Sequence, residues 1–270
     1  KKFKSKFAIS CSSGTAGLHL AFLSLDLKKG DIVIMPSINF ISSYRVAELM
    51  GAKIFLSDVD PISGQMTPET LEQCIKKNKI KNVKAIVTMY LGGYIKNNIE
   101  FFKIKKRLGC ALIEDACHAI GGTYMHKRKK NFIGSCKHSD ICVFSFHPVK
   151  TITTGEGGAI TTNNKSLAKR MIELRSHGIL RKNKYWEYDI KNLGYNYRLS
   201  DINCSLGVSQ LNRLEKFSQK RKKIFNVYNK LLSPYKKFFN FVENPNRGDS
   251  YHFYLISIKF NFINSNKDKL

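Results

Sequence analysis

Residues 83–115 read VKAIVTMYLGGYIKNNIEFFKIKKRLGCALIED. An apolar strand-like run (83–90) is followed by a helical segment, NNIEFFKIKKRLG, and by a second apolar run, CALIED (110–115). The same alternation extends in both directions. DIVIM (31–35) precedes the helical SSYRVAELMGA, and KIFLSDV (53–59) precedes TPETLEQCIKK, which opens with a Thr cap, a Pro at the first helical position and a Glu. DICVFSF (140–146) and GGAITT (157–162) follow. Strands alternating with helices predict an α/β fold with a largely parallel sheet covered by helices.

The pattern changes after residue 163. KSLAKRMIELRSHG reads as a helix ended by Gly178, and SDINCSLGVSQLNRLEKFSQKRKKIFNVYNKLL as one or two long helices. SYHFYLISIKF (250–260) reads as a late strand opening a smaller domain. The expected division is a large domain over 1–215, incomplete at its start, and over 216–270 a linking helix with the beginning of a truncated C-terminal domain.

The 270 residues are 43% hydrophobic, with 18 Phe and 12 Tyr, enough for a packed core. No run of about 20 apolar residues suggests a membrane span. The basic start, KKFKSKFAISCSS, has too short an apolar piece for a signal peptide. Seven cysteines without a CxxC pair are expected to be reduced thiols in a cytoplasmic protein. A zinc site from Cys117, His118, Cys136 and His138 matches no familiar spacing, so no metal is expected. The net charge of +26 comes from many short lysine clusters on polar faces and helix ends. It favours a solvated basic surface suited to an anionic small substrate over specific nucleic-acid binding.

Three stretches carry candidate chemistry at strand ends or a helix start, where open parallel sheets bind ligands. In SSGTAGLHLAFLSLDL (12–27), Ser-Ser-Gly-Thr opens an apolar, amphipathic helix whose free N–H groups suit a phosphate, or simply caps it. In CALIEDACHAIGG, Asp115 ends a buried strand, either capping a helix or pairing with a cationic ligand nitrogen. Glu114 should face the other side of the sheet. In FSFHPVKTITTGEGGAITT (144–162), Ser145 and Lys150 follow the strand, and Lys150 lies among threonines and glycines, unlike the lysines in polar clusters. A nucleophilic amine, a buried carboxylate and phosphate donors together are what pyridoxal 5'-phosphate requires.

SSGTAGLHLA, EDACHAIGGTY, FSFHPVKTITTGEGGAITTN, RSHGI and GYNYRLSDINCSLGVSQL, in this order between about residues 8 and 225, resemble the DegT/StrS-type nucleotide-sugar aminotransferases. Their wording is closest to members that aminate C4 of a UDP-linked 4-keto-6-deoxy-N-acetylhexosamine for pseudaminic acid, with L-glutamate as donor. The resemblance implies fold type I, the aspartate aminotransferase-like fold of pyridoxal phosphate enzymes, and a transaminase. It implies Lys150 as the lysine that attaches the cofactor and moves the proton, and Asp115 on the pyridine nitrogen. His118 would lie near the ring and its phenolic oxygen. Gly14, Thr15 and Ser145 would hold the phosphate, and Phe40 would stack on the ring unless it is plain core packing. Asn196 would reach the phosphate of the neighbouring subunit, implying a homodimer with shared sites. His147, His177, Glu156 and Arg198 receive no catalytic role. Another UDP-, GDP- or dTDP-4-keto-sugar is the alternative substrate. A basic nucleic-acid-binding protein and a non-catalytic dimerising fragment are the readings of other classes.

Overall fold

The computed structural model describes residues 2–184, 186–241 and 248–262. Its central sheet has seven strands, β1 (Phe7–Cys11), β2 (Ile32–Pro36), β3 (Lys53–Ser57), β4 (Val83–Met89), β5 (Ala111–Asp115), β8 (Ile141–Ser145) and β9 (Gly158–Thr162). The hairpin β6 (Thr123–His126) and β7 (Lys129–Phe132) stands apart from it. The spatial order is β1-β9-β8-β5-β4-β2-β3. The strands from β3 through β8 in that order are mutually parallel, whereas β9 runs antiparallel to both β8 and β1.

Burial on both faces explains the continuous apolar runs of the inner strands. Val33, Met35, Ala85, Val87, Ile113 and Val143 pack on one face beneath α1 (Gly14–Ser24), α2 (Ser42–Leu49) and α5 (Lys165–Arg175). Ile34, Ile86 and Leu112 alternate to the other face, against Leu71 of α3 (Pro68–Lys77) and Phe101 and Ile104 of α4 (Asn98–Leu108). At the start of α3, Thr67 Oγ1 accepts from Thr70 N (3.2 Å) and Thr70 Oγ1 from Thr67 N (2.9 Å), closing a reciprocal cap.

Two sequence expectations need correction, and one alternative left open by the sequence is resolved. The helix after Ser13 is not amphipathic, because α1 lies between the sheet and its helical neighbours and is buried on nearly all sides. The long helical tract is two helices, α6 (Asp201–Asn212) and α7 (Leu214–Leu232), meeting at Arg213. The late strand shrinks to β13 (Ile256–Ile258), paired with β12 (Phe239–Phe241), while residues 250–255 run as a strap whose backbone bonds to a glycine turn instead. The short hairpin β10 (Ile179–Arg181) and β11 (Tyr188–Ile190) had no sequence signal, nor did edge strand β1. Residues 242–247 and 263–270 of the expected second domain lie outside the described residues.

Candidate functional site

The carboxyl ends of β5 and β8 and the start of α1 meet at one place. Asp115 is the last residue of β5, in register with Val143 of β8 and Met89 of β4, and is 2% exposed. One carboxylate oxygen accepts from Cys117 N (3.1 Å). Burial pushes this carboxyl above its ordinary range, opposed by the Cys117 hydrogen bonds and the charge of Lys150. Strand alternation turns Glu114 away, as its sequence position requires. It accepts from Tyr90 Oη (2.5 Å), Ser139 Oγ (3.0 Å) and Asn98 Nδ2 (3.3 Å) behind the sheet.

Ser145 ends β8, opposite Gly158 of β9. The chain between them is a loop knotted to Phe146. Phe146 N donates to Gly157 O (2.8 Å), and Thr154 N (3.0 Å) and Thr153 Oγ1 (2.9 Å) donate to Phe146 O. Within it, Lys150 N donates to His147 O (2.9 Å), a turn that leaves the lysine half-buried beside the strand ends. Its charge acts on Asp115, Cys117 and His118, so these groups share one electrostatic environment.

The third wall is the start of α1. Ser13 caps it by accepting from Ala16 N (3.0 Å), and the first N–H groups of any helix lack an intrahelical partner. A Cβ placed on Gly14 would lie 2.9 Å from Ser145 Cβ and 3.2 Å from Cys117 Sγ. Only glycine lets these segments approach so closely, and Thr15 beside it is exposed.

His118 lines the same region, 6% exposed, with Nδ1 lacking a hydrogen-bond partner. Burial, then the charge of Lys150, lowers it to about 2, so the ring is neutral. The structure adds a residue that the sequence reading placed in a strand. His252 packs against His118 with ring centroids 4.3 Å apart and tilted by 32°, and its pKa is lowered to about 3, again chiefly by burial. A lone histidine inside the aromatic run Tyr251–Tyr254 was the available signal.

Two expected residues stand apart. Phe40 is 68% exposed on the loop after β2. Asn196 is exposed next to Tyr197, whose carbonyl accepts from Ser12 N (2.8 Å) immediately before the α1 start. His147 lies 3.7 Å from Glu156 on the loop rim, and His177 takes a left-handed conformation (φ 64°) after α5. Among the described residues no group of three or more His, Cys, Asp or Glu side chains is disposed to hold a metal ion.

Pyridoxal phosphate fits this arrangement on the structure's own terms. A buried carboxylate bonded by Cys117 suits a protonated ring nitrogen, and the orphaned His118 Nδ1 calls for a polar partner. The glycine-lined helix start beside Ser145 suits a phosphate. Gly14→Ala is therefore expected to weaken cofactor binding by about tenfold or more, because the added methyl overpacks the junction. An absorbance titration with the cofactor checks this, and unchanged affinity would remove the α1 start from the phosphate site.

The comparisons agree with this geometry. The family described as the DegT/DnrJ/EryC1/StrS aminotransferase family matches residues 1–270. A UDP-4-amino-4,6-dideoxy-N-acetyl-beta-L-altrosamine transaminase of Campylobacter jejuni is 39% identical over 225 residues, covering 83% of this chain and 57% of that protein. The chain thus spans little more than half the length of this curated relative. PseC of Helicobacter pylori, an aminotransferase of pseudaminic acid biosynthesis, superposes with a TM-score of 0.85 at 27% identity, over 98% of this chain and 68% of its own. NtdA of Bacillus subtilis, solved with bound cofactor PMP, superposes with a TM-score of 0.81 at 26% identity, over 95% of this chain and 56% of its own. The fold is the fold type I architecture of those aminotransferases, and the chain belongs to the DegT/DnrJ/EryC1/StrS aminotransferase family.

Proposed function

We propose that the protein is a pyridoxal phosphate-dependent aminotransferase of the cytoplasm. In this reading it moves the amino group of L-glutamate to C4 of a UDP-linked 4-keto-6-deoxy-N-acetylhexosamine, for a pseudaminic acid-type surface glycan. The observation that carries the reading is the convergence of Lys150, Asp115 and the Gly14–Ser145 junction at the carboxyl end of the sheet. The substrate reading is supported by the name of the Campylobacter jejuni relative, and the net charge of +26 suits a nucleoside diphosphate.

When bound, the cofactor supplies an aldehyde that condenses with amines and a ring that draws in electrons. The protein's residues orient it and manage protons. The Asp115 carboxylate keeps a proton on the ring nitrogen, and that cation in turn favours ionised Asp115 in a site where burial alone opposes it. Gly14 and Thr15 N–H groups and Ser145 Oγ hold the phosphate. Lys150 Nζ takes the proton from Cα of glutamate in the first half-reaction. In the second it returns a proton at C4 of the sugar, so that amino transfer leaves 2-oxoglutarate and the amino-sugar.

A homodimer with shared sites is part of this proposal. Helix α6 has no buried residue, and its Ile202 and Leu206, one turn apart, are 83% and 42% exposed. An apolar helix face of this kind suits a second copy, and exposed Asn196 lies just before that helix.

The pyridoxamine-loaded protein, mixed with UDP- and dTDP-linked 4-keto-sugars, is expected to return to the aldehyde form only with the UDP-linked N-acetylhexosamine, followed by absorbance. Reaction with dTDP-sugars alone overturns the substrate reading. Reaction with none overturns the activity.

A further inference from the structure

Residues 248–253 cross the carboxyl end of the sheet as a strap fixed at several points. Gly248 O accepts from Thr123 N (2.7 Å), Asp249 Oδ1 from Ile95 N (2.7 Å) and Ile120 O from Ser250 Oγ (3.0 Å). Ser250 N donates to Gly93 O (2.8 Å) and His252 N to Gly92 O (2.8 Å). The glycine turn is what admits the strap. Gly93 has φ 86°, and a Cβ there would lie 2.7 Å from His118 O and 3.2 Å from His252 N. From α7, Arg221 Nη1 donates to His252 O (3.0 Å) and holds the strap from the other side.

The two bonds that involve residue 252 use its backbone and leave its ring aside. The imidazole is 5% exposed, and neither Nδ1 nor Nε2 has a hydrogen-bond partner. Buried polar atoms in native proteins are normally satisfied, so a ring with two orphaned nitrogens beside a ligand site points to a ligand. Its neighbours are the rings of His118 (4.3 Å) and Phe253 (4.3 Å), and it lies within the field of Lys150.

We propose that His252 is a contact residue for the sugar ring of the acceptor, exchanging hydrogen bonds with a neutral hydroxyl or acetamido group and not with the carboxylates of the amino donor. This rests on the aminotransferase reading above. The chemistry selects the sugar because burial and the Lys150 charge hold both histidines neutral. A neutral imidazole offers one donor and one acceptor. Hydroxyl and amide groups can answer both, whereas a carboxylate only accepts and would set its charge against the acceptor nitrogen. The strap therefore brings to the Lys150 site a group that distinguishes one substrate of the transfer from the other.

The test separates the two half-reactions of the cofactor-loaded protein and adds equilibrium binding of UDP-N-acetylglucosamine by calorimetry. His252→Phe keeps an aromatic ring without nitrogens against His118. It is expected to leave the glutamate half-reaction within about threefold while lowering the sugar half-reaction roughly 10- to 100-fold, and to weaken UDP-N-acetylglucosamine binding at least about fivefold. His252→Gln, which restores a donor and an acceptor, should recover part of both losses. It also serves as the second variant if His252→Phe folds poorly. An equal fall in both half-reactions assigns the ring to support of the strap and overturns the proposal, as does unchanged nucleotide-sugar affinity in His252→Phe. Should the unaltered protein process glutamate with no keto-sugar, the substrate reading fails by itself, and the calorimetric comparison still decides the contact.

Discussion

Lys150→Ala is expected to lower amino transfer by roughly 10⁴-fold and to abolish the visible absorption band of the lysine-bound cofactor. The chain carries 46 lysines and arginines, and most belong to solvated clusters. Lys150 differs in where its loop is tied. Phe146 closes the loop at both ends, and the charge of Lys150, held in the His147–Lys150 turn, acts on Asp115, Cys117 and His118. The lysine makes no ion pair among the described residues and belongs to no core cluster, so its removal should leave the fold intact. Circular dichroism of the variant should match that of the unaltered protein. Lys150→Arg separates charge from nucleophilicity, since a guanidinium keeps the cation near Asp115 but neither condenses with an aldehyde nor gives up a proton near neutral pH. It should be as inactive as the alanine variant. A normal band in either variant would refute the assignment of Lys150.

The sheet was legible because its inner strands are buried on both faces, which makes 83–90, 110–115 and 140–146 continuous apolar runs. Asp115 and Ser145 could be placed at strand ends because each closes such a run, and alternation separated Glu114 from Asp115. The missing parts depend on partners distant in sequence. β1 is a short edge strand whose strand partner among the described residues is β9, some 150 residues later, and nothing local distinguishes it from a loop. His252 looked like a strand residue because Tyr251–Ile258 is aromatic and apolar. Its backbone instead bonds to the Gly92–Gly93 turn, about 160 residues earlier. The period of α1 misled because a helix buried on all sides has no polar face to reveal.

The neighbouring carboxylates of β5 should respond in opposite ways to the same change. Asp115→Asn removes the partner of a buried cation, an interaction worth about 3–5 kcal/mol when only one member is lost. Cofactor affinity should therefore fall by roughly 10²- to 4 × 10³-fold. The cofactor-free protein should respond in the other direction. Burial raises the Asp115 carboxyl above its unfolded value, so the folded state holds this proton more tightly than the unfolded chain. Its contribution to stability is greatest at low pH and is lost as pH rises through the folded value. At neutral pH, replacing that lone buried carboxylate with an amide should leave cofactor-free protein at least as stable, with no comparable gain near pH 4. Glu114→Gln should barely change cofactor affinity. Its Oε1 would still accept from Tyr90 and Asn98, and the Ser139 hydroxyl can rotate to accept from the new amide. The stability cost should be about 1 kcal/mol. Cofactor titration and urea unfolding on both variants measure these four quantities. A larger loss of cofactor affinity in Glu114→Gln than in Asp115→Asn would mean that the face of β5 carrying the chemistry has been misassigned.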